Sequence, residues 1–146
     1  MKNWKIILGC LLSLLCLCRG ASAQLEVDKG LHLTHVHGAV YDKAGKALAG
    51  AKVELVREDN VIVSATTGQD GGFRFTHVEG NYELRVTAAH FSPASREILV
   101  SMELARAVRG QNLYVLMGPG VCAESCSLIT TSKKEFQEIV RRNSGH

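Results

Sequence analysis

Between His32 and Met117 apolar side chains recur at every second position in short runs, and turn-forming residues separate the runs. Such alternation marks strands with one buried face, because successive side chains on a strand point to opposite sides. The first run is His35 to Tyr41, with Val36 and Val40 on one side. Ala51, Val53 and Leu55 then alternate with Lys52, Glu54 and Val56, so the second strand is expected to turn its charged residues to water. Glu58-Asp59-Asn60 closes a hairpin into a third run, Val61 to Thr67. The fourth, Phe73-Arg74-Phe75, follows Gln69-Asp70-Gly71-Gly72, whose Asp-Gly step suits the positive φ of a tight turn. Tyr82, Leu84 and Val86 mark the fifth; Ile98, Val100, Met102 and Leu104 the sixth; Leu113, Val115 and Met117 the seventh. Pro93 and Pro119 fall outside every run, as residues that cannot donate to a ladder should. The pattern predicts an all-β fold, a seven-stranded Greek-key β-sandwich over residues 32–117.

Beyond Met117 the period changes. Gly118-Pro119-Gly120 stops the last strand, and residues 118–131 form a loop carrying Cys122 and Cys126. Ser132 and Glu135 have the spacing of a capping box, and Phe136, Ile139 and Val140 fall on one face of the helix that would follow. Arg141 and Arg142 sit where the helix dipole favours cations. A short C-terminal amphipathic helix over residues 132–143 is therefore expected, its apolar stripe docking on its own sandwich or on a partner.

The N-terminal 23 residues read as an export signal: basic Lys2 and Lys5, an apolar run from Ile6 to Leu17, and Ala21-Ser22-Ala23 before a cleavage point at Gln24. A run of twelve residues spans about 18 Å as a helix, short of the ~30 Å hydrocarbon core, so it does not read as membrane-spanning. Secretion or periplasmic residence after cleavage before Gln24 is the expectation. The leader takes three of the 17 basic residues, which leaves 14 against 14 acidic ones and a formally neutral remainder. A nucleic-acid partner would need a basic face to neutralise phosphates, and the chain supplies no such run. Cys10, Cys16 and Cys18 leave with the leader, so Cys122 and Cys126 are the pair to explain. In an oxidising compartment they suit a local disulfide, a bond across a homodimer, or a metal pair.

The stretch Gly38-Ala-Val-Tyr-Asp-Lys-Ala-Gly-Lys-Ala-Leu-Ala-Gly-Ala-Lys-Val-Glu-Leu55, then Thr67-Gly-Gln-Asp-Gly-Gly-Phe-Arg-Phe75 and Gly80-Asn-Tyr-Glu-Leu-Arg-Val86, resembles the carboxypeptidase regulatory-like domain. That family is similar in fold to transthyretin (prealbumin) and is grouped with starch-binding-like sandwiches. The resemblance implies a non-catalytic module that accompanies a catalytic or transport unit. His90-Phe91 departs from it, since the family commonly has a glycine before the aromatic. No His-x-x-Glu of a zinc carboxypeptidase occurs, and the chain ends Asn143-Ser144-Gly145-His146 where the hydrolase branch of transthyretin-like proteins has Tyr-Arg-Gly-Ser. Neither chemistry carries over, so no enzyme activity and no cofactor are expected.

Candidate sites are few. His35 and His37 are two apart, which places both rings on one face of a strand, either as solvated side chains or as a pair sharing copper or zinc. Tyr41, outward by parity, and Phe91, in a loop, are the available platforms for stacking a sugar ring; Thr66, Gln69 and Asp70 could add hydrogen bonds or simply build turns. The sequence therefore reads as an exported binding or assembly module with a protein or glycan partner, and the competing reading is a metal-binding protein using His35 and His37 or Cys122 and Cys126.

Overall fold

A computed structural model of the chain describes residues 30–102, 111–122 and 126–145. The proposed leader, residues 1–23, lies outside the described residues. Among those described, nine strands and one helix build a two-layer sandwich: β1 (Leu31–Leu33), β2 (Val36–Asp42), β3 (Lys52–Arg57), β4 (Asn60–Thr66), β5 (Gly72–Phe75), β6 (Gly80–Thr87), β7 (Ala94–Val100), β8 (Leu113–Met117), β9 (Leu128–Thr130) and α1 (Lys133–Ser144). One sheet has the order β1-β7-β6-β3-β4 and the other β5-β2-β8-β9. Neighbours are antiparallel except β1 with β7 and β2 with β8, which run parallel. The alternating residues predicted to be apolar fill the space between the sheets: Val36 and Val40, Val53 and Leu55, Leu84 and Val86, Leu113 and Val115 are all fully buried.

All seven expected strands form, and β1 and β9 are two more. Each is only three residues long and has too little alternation to register as a period. Three further differences concern single residues. The sixth expected strand begins at Ala94 rather than Ile98, because Arg96 shares the inward parity of Ile98 and Val100 and breaks the apolar pattern. Its guanidinium reaches across the layers, with Nη1 3.5 Å from the carbonyl oxygen of Ile129 in β9. The strand ends at Val100, and Met102 is 59% exposed; Leu104 lies outside the described residues. Glu54, expected to face water, is buried on β3, an interior strand of its sheet, flanked in register by Arg85 and Ser64, and its carboxylate is 2.6 Å from Lys52 Nζ.

Turns follow from the residues that bend. Glu58 and Asp59, both at positive φ (49° and 63°), make the two-residue link between β3 and β4, a conformation whose twist matches a hairpin. His90 stands where the resembling family has glycine, and it adopts φ 70°. The turn is kept, since Phe91 N–H donates to the Ala88 carbonyl at 3.2 Å. The loop from β2 to β3 is latched by Thr67, whose buried hydroxyl donates to the Leu48 carbonyl (2.6 Å) and accepts from Ala51 N–H (2.9 Å).

The C-terminal segment docks on the chain's own sandwich. Ser132 caps α1 by accepting from Glu135 N–H at 3.2 Å. The Glu135 carboxylate does not reach back to complete a capping box; it accepts from the Thr130 hydroxyl, which itself accepts from Ser132 N–H. Phe136 inserts between Tyr41 of β2 (centroids 5.0 Å apart) and Tyr114 of β8 (4.9 Å, stacked). Cys122 and Cys126 are joined by a disulfide with Cα atoms 6.2 Å apart, in the loop that leads from β8 to β9 and then to α1.

Candidate functional site

At one end of the sandwich, where the chain crosses from β1 in one sheet to β2 in the other, a cleft of about 640 Å³ opens. Its wall is built from four pieces of chain: the crossing residues Thr34 and His35, the start of β2, the end of β5, and the β5–β6 turn from Thr76 to Glu79, with Met102 at the rim. Register explains why the first three meet. Val36 pairs with Phe75, and both are buried in the core; His37 pairs with Arg74 on the opposite parity. Ser101 N–H donates to the Leu33 carbonyl at 2.9 Å, which brings the segment carrying Met102 beside the crossing.

The turn is held rigidly. Tyr82 Oη donates to the Glu79 carbonyl at 2.9 Å, and Arg57 Nη2 donates to the same oxygen at 3.1 Å. The Arg57 guanidinium lies 4.4 Å from the Tyr82 ring centroid, in cation–π contact. His77, at the crown of this turn, adopts φ 59°, a left-handed conformation that a side-chain-bearing residue enters at a cost. Val78 packs against the core beneath it. The cleft is thus lined by three histidines, His35, His37 and His77, with Arg74, Glu79 and apolar neighbours from the same four pieces of chain.

His35 and His37 line this same cleft, although His35 sits in the bend just before β2 and not on the strand. His77 was not legible in the sequence: nothing in its turn suggests that it would arrive beside residues forty positions earlier. His32 is exposed on β1, in the other sheet, and belongs to a different depression. Among the described residues no three His, Cys, Asp or Glu side chains stand close enough to hold one metal ion. With Cys122 and Cys126 oxidised to a disulfide, that pair offers no thiolates to a metal in this state.

The two aromatic platforms are otherwise engaged. Tyr41 stands on the outward side as parity requires, but its ring meets Phe136 and serves to seat the helix. Phe91 is half-buried against the core, where its backbone bridges to Pro119. Asp70 accepts from Gly72 N–H at 2.9 Å and so builds its turn. A shallow depression of about 680 Å³ on the outer face of the second sheet lies next to the cleft and shares His37 and Arg74 with it.

The carboxypeptidase regulatory-like domain family matches residues 35–109, half of the chain. The chain belongs to this family. The match takes in β2 through β7 and every charged residue and histidine of the cleft, whereas β8, β9, the disulfide and α1 lie beyond it. No curated protein matches the chain. The family is one of non-catalytic regulatory domains. Among the described residues no helix of this member is long and apolar enough to cross a membrane.

Proposed function

We propose that the chain is an exported, non-catalytic β-sandwich module that captures a protein or glycan partner through the cleft between β2, β5 and the β5–β6 turn. The observation that carries this reading is the cleft itself: its volume suits a small ligand or one or two residues of a larger one, and charged, histidine and apolar residues from separate stretches of the chain line it together. Export rests on the leader at residues 1–23, with cleavage before Gln24 delivering the module to the periplasm or the cell exterior, where its disulfide persists. Strands β2 to β8 are read as the seven-stranded Greek-key, prealbumin-like unit, to which β1 and β9 are additions. The test is an amide-shift screen of the purified protein with oligosaccharides and short peptides. Binding should move the signals of residues 34–37 and 74–79; a binder that moves only other surfaces, or substrate turnover abolished by one His or Cys substitution, overturns the reading.

The second reading is a copper or zinc site using His35 and His37, two apart in sequence and lining one cleft. Calorimetry separates the two. Stoichiometric submicromolar metal binding lost in His35→Ala/His37→Ala establishes the metal site, and weak binding unchanged in that variant excludes it.

A further inference from the structure

Among the described residues the two sheets leave four strand edges, and they are not alike. β1 and β9 are three residues long, and α1 packs against β9. β5 has four residues, one of them the cation Arg74. Shortness, cover and charge are the ordinary defences of a sheet edge, whose outward N–H and C=O groups otherwise accept another strand. β4, at the end of the five-stranded sheet, has none of the three. It runs seven residues, Asn60-Val-Ile-Val-Ser-Ala-Thr66, without charge or proline, and its Val61 and Ile62 are 50% and 51% exposed.

The direction of its hydrogen-bonding groups follows from one contact. Thr67 N–H donates to the Ala51 carbonyl at 2.9 Å, so the main chain of Thr67 faces β3, and along an antiparallel ladder such residues alternate. Ala65 and Val63 therefore turn their main-chain groups to Val53 and Leu55, and Ser64 and Thr66 turn theirs away from the sheet. Ile62 has no partner in the register and is the extra residue of a bulge, so the regular part of the edge runs from Val63 to Thr66. Exposed acid stands at both ends of the strand: Glu58 and Asp59 in the hairpin before it, Asp70 in the turn after it. The cations of β3 are engaged elsewhere, Lys52 with the Glu54 carboxylate and Arg57 with the carbonyl oxygens of Glu79 and Asn81.

We propose that β4 is a docking edge for an extended segment of another protein, paired through the outward groups of Ser64 and Thr66, with an uncharged β-branched centre and a basic residue at either end. A second copy of this chain is the poorer occupant. Paired antiparallel, β4 and its copy bring Glu58 and Asp59 of each to the Asp70 end of the other; paired parallel, they set like ends together, and like charges oppose both. A basic-flanked strand meets the opposite sign at both ends, while the ladder supplies main-chain bonds and Val61 and Ile62 supply apolar contact. No residue of β4 lines the cleft, so the two sites stand or fall separately.

The probe is the end-capped peptide Lys-Thr-Val-Thr-Val-Thr-Lys, titrated into the purified protein at low salt with amide shifts and amide hydrogen exchange as readouts. Two control peptides accompany it, one with Glu at both ends and one N-methylated at every central residue, which removes its main-chain donors. The basic-flanked peptide should move the signals of residues 60–66, slow exchange at the amides of Ser64 and Thr66, and bind about tenfold or more tightly than the Glu-flanked one. The N-methylated peptide should leave these signals in place. Glu58→Gln/Asp59→Asn, which keeps side chains that accept the left-handed backbone, should retain the wild-type circular dichroism and narrow the preference for basic ends. The proposal is overturned if no amide of residues 60–66 moves at millimolar peptide, if the Glu-flanked or N-methylated peptide binds as tightly, or if the preference is unchanged in the double variant. Sedimentation of the protein alone tests the other occupant: a dimer that forms with rising concentration and protects the Ser64 and Thr66 amides assigns the edge to a second copy and overturns the proposal as stated.

Discussion

Replacing Phe136 with alanine isolates what holds the C-terminal helix to the sandwich. The helix is twelve residues long, a length at which an isolated helix is marginal in water, so its folded state depends on docking. Phe136 makes two ring contacts, with Tyr41 at 5.0 Å and Tyr114 at 4.9 Å, and is half-buried. Truncating a fully buried Phe costs about 3–5 kcal/mol, so about half of that is expected from lost burial here, and aromatic pairing adds about 0.5–1.5 kcal/mol per pair. Allowing for overlap between the two contributions and for settling of the neighbouring tyrosines, docking should weaken by about 2–3 kcal/mol, which is roughly 30- to 150-fold in the opening equilibrium. Native-state hydrogen exchange reads this directly. The amides of α1 should exchange faster by that factor, while those of β3 and β6 change little, because neither strand contributes to the aromatic seat. Phe136→Leu should recover about half of the loss, since it restores apolar area without the ring. Exchange in α1 changed by less than about threefold, or the same acceleration in β3 and β6, would refute the argument that Phe136 is a local clamp.

Three further outcomes follow from single side chains. Thr67→Val removes a buried hydroxyl that donates to Leu48 and accepts from Ala51, leaving both backbone groups without that partner; denaturant unfolding should show a loss of about 2 kcal/mol. Gly38→Ala would drive a Cβ into the Leu113 carbonyl oxygen, so β2 and β8 must part, with a loss of about 3 kcal/mol or failure to fold at all; an unchanged melting temperature would contradict the close approach. Asp59→Gly relieves a left-handed backbone in the β3–β4 link and should stabilise by about 0.5–1 kcal/mol in the same denaturant assay.

The alternation of apolar positions determined by itself which residues fill the sandwich, because burying one face of a strand is a demand that each strand makes locally. Val36 and Val40, Val53 and Leu55, or Leu84 and Val86 would be placed inward in any sandwich built from this chain. The hairpin at Glu58-Asp59 and the cap at Ser132 were equally local, each fixed by residues within a few positions of one another. What the alternation could not hold was any feature created by strands meeting. Arg96 broke the inward pattern of β7 because its guanidinium is accommodated by β9, a strand from the far end of the chain. Glu54 is buried because its neighbours across β4 and β6 enclose it, and parity alone carries no information about neighbours. Tyr41 was legible as outward-facing, yet only the docking of α1 decided that its ring would seat Phe136 and not a ligand. The cleft shows the same division. His35 and His37 were legible as a pair, and Arg74 and His77 joined them only when antiparallel pairing of β2 with β5 and the pinned turn beyond it closed one wall from separate stretches of sequence.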